Sequence, residues 1–164
     1  MNRLWRTVWY AVGMGYVEAA VVVYLRKLFY PNGFHIAEKV GFPFLKFSTN
    51  VPELNPLDPH TLAVEVGREA ATLLMLAMVA WLGGTGRRSR WGHFLVAFAV
   101  WDLTYYGWLR LLIGWPESLS TTDVLFLIPV PWIAPVWVPM LASCGMIAAG
   151  VWLIRRGSNP TSNA

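Results

Sequence analysis

Residues 65–76 read EVGREAATLLML, which sets two glutamates and an arginine inside a run otherwise apolar enough to cross a membrane. A charge at membrane depth costs roughly 2.5–3.5 kcal/mol on insertion scales, so three on one helix demand partners inside the protein. At 3.6 residues per turn, Thr61, Glu65, Arg68, Glu69 and Thr72 share one face. The segment therefore predicts a cylinder that is apolar except for a single polar stripe, and the stripe must turn away from lipid.

The rest of the chain fits that setting. Of its 164 residues, 56% are hydrophobic and only 13% are charged, a balance foreign to soluble domains of this length. Ten tryptophans match the aromatic enrichment at membrane interfaces. A span needs about 20 apolar residues, and residues 5–29, 60–83, 91–114 and 132–155 qualify. The expected fold is an all-α membrane protein, a four-transmembrane-helix bundle forming a single domain over residues 1–157, with a disordered tail at 158–164. Arg3 and Arg6 precede the first run as in a signal sequence, but Glu18 interrupts it and no small-residue cleavage site follows, so it reads as a retained span.

Punctuation supports these boundaries. Asp58-Pro59 offers an N-cap and a first-turn proline, Gly83-Gly84-Thr85-Gly86 ends the second span, and Gly114-Trp115-Pro116 ends the third. Residues 30–58, with Pro31, Pro43, Pro52 and Pro56, read as an irregular or interfacial loop. Segment 120–131, STTDVLFLIPVP, opens with Ser120 and Asp123 like a capping box and is too short to span. It reads as a short broken or re-entrant helix before the last span.

Lys and Arg are retained on the cytoplasmic side of short loops. Arg3, Arg6, Arg87, Arg88, Arg90, Arg155 and Arg156 share one side if both termini are cytoplasmic, against Arg26, Lys27, Lys39 and Lys46 on the other. The expected location is thus the cytoplasmic (inner) membrane, multi-pass, with the net charge of +4 expressing topology. Nothing in the chain resembles a nucleic-acid-reading motif.

Other segments supply partners for the stripe. Glu18 lies mid-way along the first span on a face with Ala11 and Gly15, small residues that admit a close neighbour. Asp102 shares a face of the third with Tyr105, Tyr106 and Leu109, and Arg110 follows. Pro129, Pro131, Pro135 and Pro139 cluster at the outer end of the fourth, where kinked backbone could line a cavity. All of these groups fall between mid-membrane and the outer surface.

Two chemistries suit such a site. Glu65, Glu69 and Asp102 could offer oxygen ligands to a divalent cation. Alternatively, burial and Arg68 could split the carboxylates into a neutral and an ionised one, as acid/base catalysis or proton coupling requires. Glu69, Glu65 and Asp102 are then the catalytic candidates, with Arg68, Glu18, Tyr105, Tyr106 and Arg110 contacting a cation or the polar head of a lipidic substrate. The competing expectation is a non-catalytic subunit or scaffold, oligomeric or bound to a partner helix, whose charges are structural ion pairs.

Several chemistries are excluded by pattern. HExxH, GxSxG, P-loop and histidine-box signatures are absent. The lone Cys144 forms no intrachain disulfide or CxxC site, and His60 and His93 sit too far apart in the spans to share a centre. Neither haem nor an iron–sulfur cluster is expected. Ser143-Cys144-Gly145 reads as a packing surface.

Overall fold

The computed structural model describes residues 3–36, 40–48 and 50–157. Lys39 and the tail at 158–164 lie outside them. Four helices dominate: α1 (Arg3–Phe29), α2 (Pro59–Gly83), α3 (Arg87–Ile113) and α4 (Trp137–Gly157). Three short strands, β1 (Lys46–Phe47), β2 (Thr122–Phe126) and β3 (Trp132–Pro135), and a 3-10 turn at Pro52–Leu54 complete the chain.

Local chemistry explains the helix ends. Asp58 accepts from the amides of His60 at 2.9 Å and Thr61 at 3.1 Å, and Pro59 gives up a donor that no helical carbonyl would have met. Gly114 closes α3 in the left-handed conformation, φ 71°, with its amide on the Arg110 carbonyl at 3.1 Å.

α3 packs against each of the other helices. At one end of the bundle, Gly83 of α2 meets Thr7 of α1 and His93 of α3, and Gly157 of α4 meets Ser89 of α3. That end gathers the starts of α1 and α3, the ends of α2 and α4, and with them the arginines at 3, 6, 87, 88, 90, 155 and 156. The backbones of α3 and α4 touch there: a Cβ on Gly92 would lie 2.7 Å from the Gly150 carbonyl oxygen, and one on Gly150 equally close to that of Gly92. Gly15 of α1 is pressed in the same way against Thr104 and the Trp101 carbonyl of α3. Small residues thus set the helix spacing, as expected where packing rather than solvent drives association.

The opposite end carries an antiparallel sheet of order β1-β3-β2. The all-α expectation is corrected here, because segment 120–131 is not a short helix. Thr122, Asp123, Val124 and Phe126 pair with Pro135, Ala134, Ile133 and Trp132 of β3, with a register shift between Val124 and Phe126. Asp123 caps nothing; it points inward, 3% exposed, and the Ser120–Asp123 capping box does not form. α4 starts at Trp137 rather than 132, because 132–135 is the buried strand β3. The prolines therefore kink no spanning helix. Pro129 and Pro131 lie between strands, Pro135 ends β3, and Pro139 occupies the first turn of α4, where its missing donor costs nothing.

The outer surface of the helices is apolar. Trp5, Trp9, Tyr24 and Leu28 on α1, Leu74, Met78 and Leu82 on α2, Leu111 on α3, and Leu141 and Trp152 on α4 are all exposed. α1 and α4 are long and apolar enough to cross a membrane by length and composition. The buried set, by contrast, includes Glu18, Glu65, Glu69, Asp102 and Asp123. Five acidic side chains inside an otherwise hydrophobic core, with large apolar side chains outside, depart from the usual arrangement of a soluble domain.

The glycine contact yields a direct test. Gly150→Val should destabilise the folded protein in detergent by about 1–3 kcal/mol through overpacking against Gly92 and Val96. Gly145→Ala on the same helix, where an added Cβ meets nothing within 4 Å, should leave thermal denaturation unchanged.

Candidate functional site

The polar stripe of α2 faces α1, and its arginine is the hub. Arg68 Nε donates to Glu65 Oε2 at 2.8 Å, one turn earlier on the same helix. Arg68 Nη1 donates to Glu18 Oε1 across the α1–α2 contact, and Thr72 Oγ1 donates to the other Glu18 oxygen at 3.3 Å. Glu18 reaches this position because Ala11, Gly15, Glu18 and Ala19 form the buried face of α1. Two carboxylates and one guanidinium thus form a closed, partly desolvated triad.

The remaining acids have different partners. Glu69 accepts the Leu127 amide on both carboxylate oxygens, at 3.1 and 2.9 Å, which ties the end of β2 to α2. Asp102 accepts the Ser143 hydroxyl of α4 at 2.8 Å. Neither forms a salt bridge among the described residues. Asp123 accepts the Tyr106 hydroxyl at 3.1 Å and lies 3.8 Å from Arg26 Nη2. Burial pushes the Asp123 carboxyl up to about 6, against the opposing pull of Arg26 and the Tyr106 hydrogen bond.

These groups line one cavity of about 120 Å3. Its acidic wall comprises Glu18, Glu65, Glu69, Asp102 and Asp123, and its cations are Arg26 and Arg68. Tyr105, Tyr106 and Trp101 add aromatic surface from α3, while Leu54 and Leu57 close it from the loop before α2. Tyr30 pins that loop through a 2.7 Å hydrogen bond from its hydroxyl to the Glu53 carbonyl. Five carboxylates against two guanidinium groups leave three negative charges in surplus when all are ionised.

Of the residues singled out by sequence, Glu18, Glu65, Arg68, Glu69, Asp102, Tyr105 and Tyr106 come together around this cavity. Arg110 does not. It is exposed and donates to the carbonyls of Gly114 and of Pro116, the latter at 2.9 Å, so it secures the turn after α3. Glu65, Glu69 and Asp102 are each turned to a separate partner, and no group of three or more His, Cys, Asp or Glu side chains suited to a metal occurs among the described residues.

Sequence reasoning missed Arg26, Asp123 and Ser143 as members of the site. Arg26 was legible: Glu18, Val22 and Arg26 follow at four-residue steps, so one face of α1 carries both charges. Asp123 was the lone acid of an apolar run, a signal that outweighs a capping pattern. Ser143 reads as packing until α4 is placed beside Asp102.

Two predictions follow from this geometry. Arg68→Met leaves Glu18 and Glu65 buried without their cation and should cost about 3–5 kcal/mol. The triple variant Glu18→Gln, Glu65→Gln, Arg68→Met should recover most of that in detergent thermal denaturation; an Arg68→Met protein melting like the wild type would contradict the triad. For Asp123, the folded carboxyl titrates near 6 and the unfolded one near about 4, so the folded state holds the extra proton between them. Stability should therefore fall as pH rises through that window and level off above it, and Asp123→Asn should flatten the profile.

Comparison of the chain with protein-family models, with curated proteins and with solved structures gives no match.

Proposed function

We propose that the chain is a four-span protein of the cytoplasmic membrane whose outward-facing cavity binds a cation carried on the polar head of a lipidic ligand. Helix lengths of 21 to 27 residues support four crossings, since about 20 residues bridge the hydrocarbon core. So does the continuous apolar exterior, which extends over α2 and α3 as well as α1 and α4. Exposed Trp5, Trp9, Trp81, Trp91 and Trp152 lie at the arginine-rich end, the composition of an interface facing the cytoplasm. The cavity lies toward the other end, so both termini are cytoplasmic and the site faces outward.

One observation carries the functional reading: Glu69 and Asp102 are buried carboxylates lining the cavity that form no salt bridge among the described residues. A bound ammonium or other cation would balance them, and the faces of Trp101, Tyr105 and Tyr106 are suited to an organic cation. Glu69 and Asp102 are the groups able to give or take a proton from such a ligand, since neither is held in a salt bridge among the described residues.

A second reading is favoured for part of the cluster. The Glu18–Arg68–Glu65 triad is internally satisfied, as expected of structural glue in a scaffold or partner subunit. It leaves Glu69 and Asp102 unexplained, which is why ligand binding is preferred.

Asp102→Asn separates the two. The amide oxygen keeps the Ser143 hydrogen bond while the charge is lost. In nanodiscs, a long-chain primary alkylamine at about a hundred times its Kd should stabilise the wild type by about 2.7 kcal/mol, and the alcohol of equal length should not. Asp102→Asn should fold normally and bind the amine about tenfold more weakly, the effect of losing one charge-assisted contact. No amine-specific stabilisation of the wild type would return the protein to the scaffold reading.

A further inference from the structure

A second, more open cavity of about 540 Å3 adjoins the first, and the two share Arg26, Tyr30 and Phe34 as a common wall. Its polar lining has the opposite character. Arg26 and Lys27 face one carboxylate, Glu117, with His35 beside them. Arg26 is the hinge point between the cavities, held on one side by Asp123 and clamped between aromatic rings, its guanidinium carbon 3.7 Å from the Trp115 centroid and 5.0 Å from that of Phe34. A guanidinium fixed in this way presents its fork of donors to two oxygens of a phosphate and has no acceptor to offer a cation.

From these adjoining cavities of opposite sign we infer that the ligand is a zwitterionic phosphate ester, the head group of an ethanolamine- or choline-type phospholipid, with its ammonium in the acidic cavity and its phosphate on Arg26 and Lys27. The inference rests on the cation-binding reading above and adds the anionic half. Size agrees with the assignment. The smaller cavity admits an ammonium and its ethylene arm but no acyl chain, while the larger is open enough for the phosphate and glycerol. Ile113 on its rim leads to the exposed apolar surface of α3 at Leu111, where chains would re-enter lipid.

Lipid recognition through basic residues beside a membrane helix contributes a modest amount per residue, and the arrangement predicts selectivity for the doubly charged head over either charge alone. Native mass spectrometry of the full chain in detergent should show phosphatidylethanolamine binding more tightly than phosphatidylglycerol, which lacks the ammonium, and than a long-chain alkylamine, which lacks the phosphate. Lys27→Gln, an exposed change outside the packed bundle, should weaken phosphatidylethanolamine about fivefold and leave alkylamine binding unchanged. Free O-phosphoethanolamine competing as well as the lipid would identify a soluble ester as the source of the same chemistry; failure to compete identifies the lipid. If alkylamine binds as tightly as phosphatidylethanolamine and Lys27→Gln affects neither, the zwitterion inference is overturned while cation binding stands. If neither amine-bearing ligand binds, both readings fall together.

Discussion

A guanidinium surrounded by apolar helices has few places to go, and Arg68 fixes the architecture by needing its carboxylates. The pairing with Glu65 keeps the polar stripe of α2 ordered, and the pairing with Glu18 sets the rotation of α2 against α1. Once α2 is turned in this way, Glu69 faces the sheet and captures the Leu127 amide, so the outer strands are docked by the same stripe. A buried pair of this kind is weak evidence for stability, because desolvation offsets much of the attraction. Its stronger effect is on specificity, since any other rotation of α2 would turn Glu65, Arg68 and Glu69 away from these partners.

The bundle divides its work along its length. At the arginine-rich end, glycine contacts at Gly92, Gly150 and Gly83 bring the helices close together. At the other end, Glu18, Arg68, Asp102 and Asp123 hold the helices around a cavity, and Leu54 and Leu57 lean over it. Tight packing below and a polar opening above follow from where the sequence places its small and its charged residues. The sheet is the third layer. Its inward Asp123 links Arg26 of α1 to Tyr106 of α3, so the cap is tied to the bundle through charge as well as through Glu69.

Much of this was legible in the residues. The stripe Glu65, Arg68, Glu69, Thr72 turned inward as its spacing required, and Glu18 met Arg68 because small neighbours on α1 left it nowhere else to face. Of the face read through Asp102, Tyr105, Tyr106 and Leu109, α3 buries Asp102, Tyr106 and Leu109 and leaves Tyr105 half-buried. The sheet was not foreseen, because a short apolar run bounded by prolines looks alike as strand or broken helix by periodicity alone. β3 lies only a few residues beyond β2, yet it was absorbed into the last helix since its apolar residues continue without a break into α4. Arg110 misled for a related reason: proximity along the helix to Asp102 suggested a shared site, whereas a residue in the last turn is drawn to the free carbonyls there.

The proposed four-span arrangement requires α2 to cross the bilayer with its three charges enclosed. Single cysteines introduced at Gly41 and Thr85, in a chain carrying Cys144→Ser, report which side each end of α2 occupies when a membrane-impermeant maleimide is added to intact cells. The account predicts that Gly41→Cys is labelled at once and Thr85→Cys only after permeabilisation. Labelling of both positions from the same side would show that α2 does not span, and the enclosed Arg68 triad would lose its physical basis.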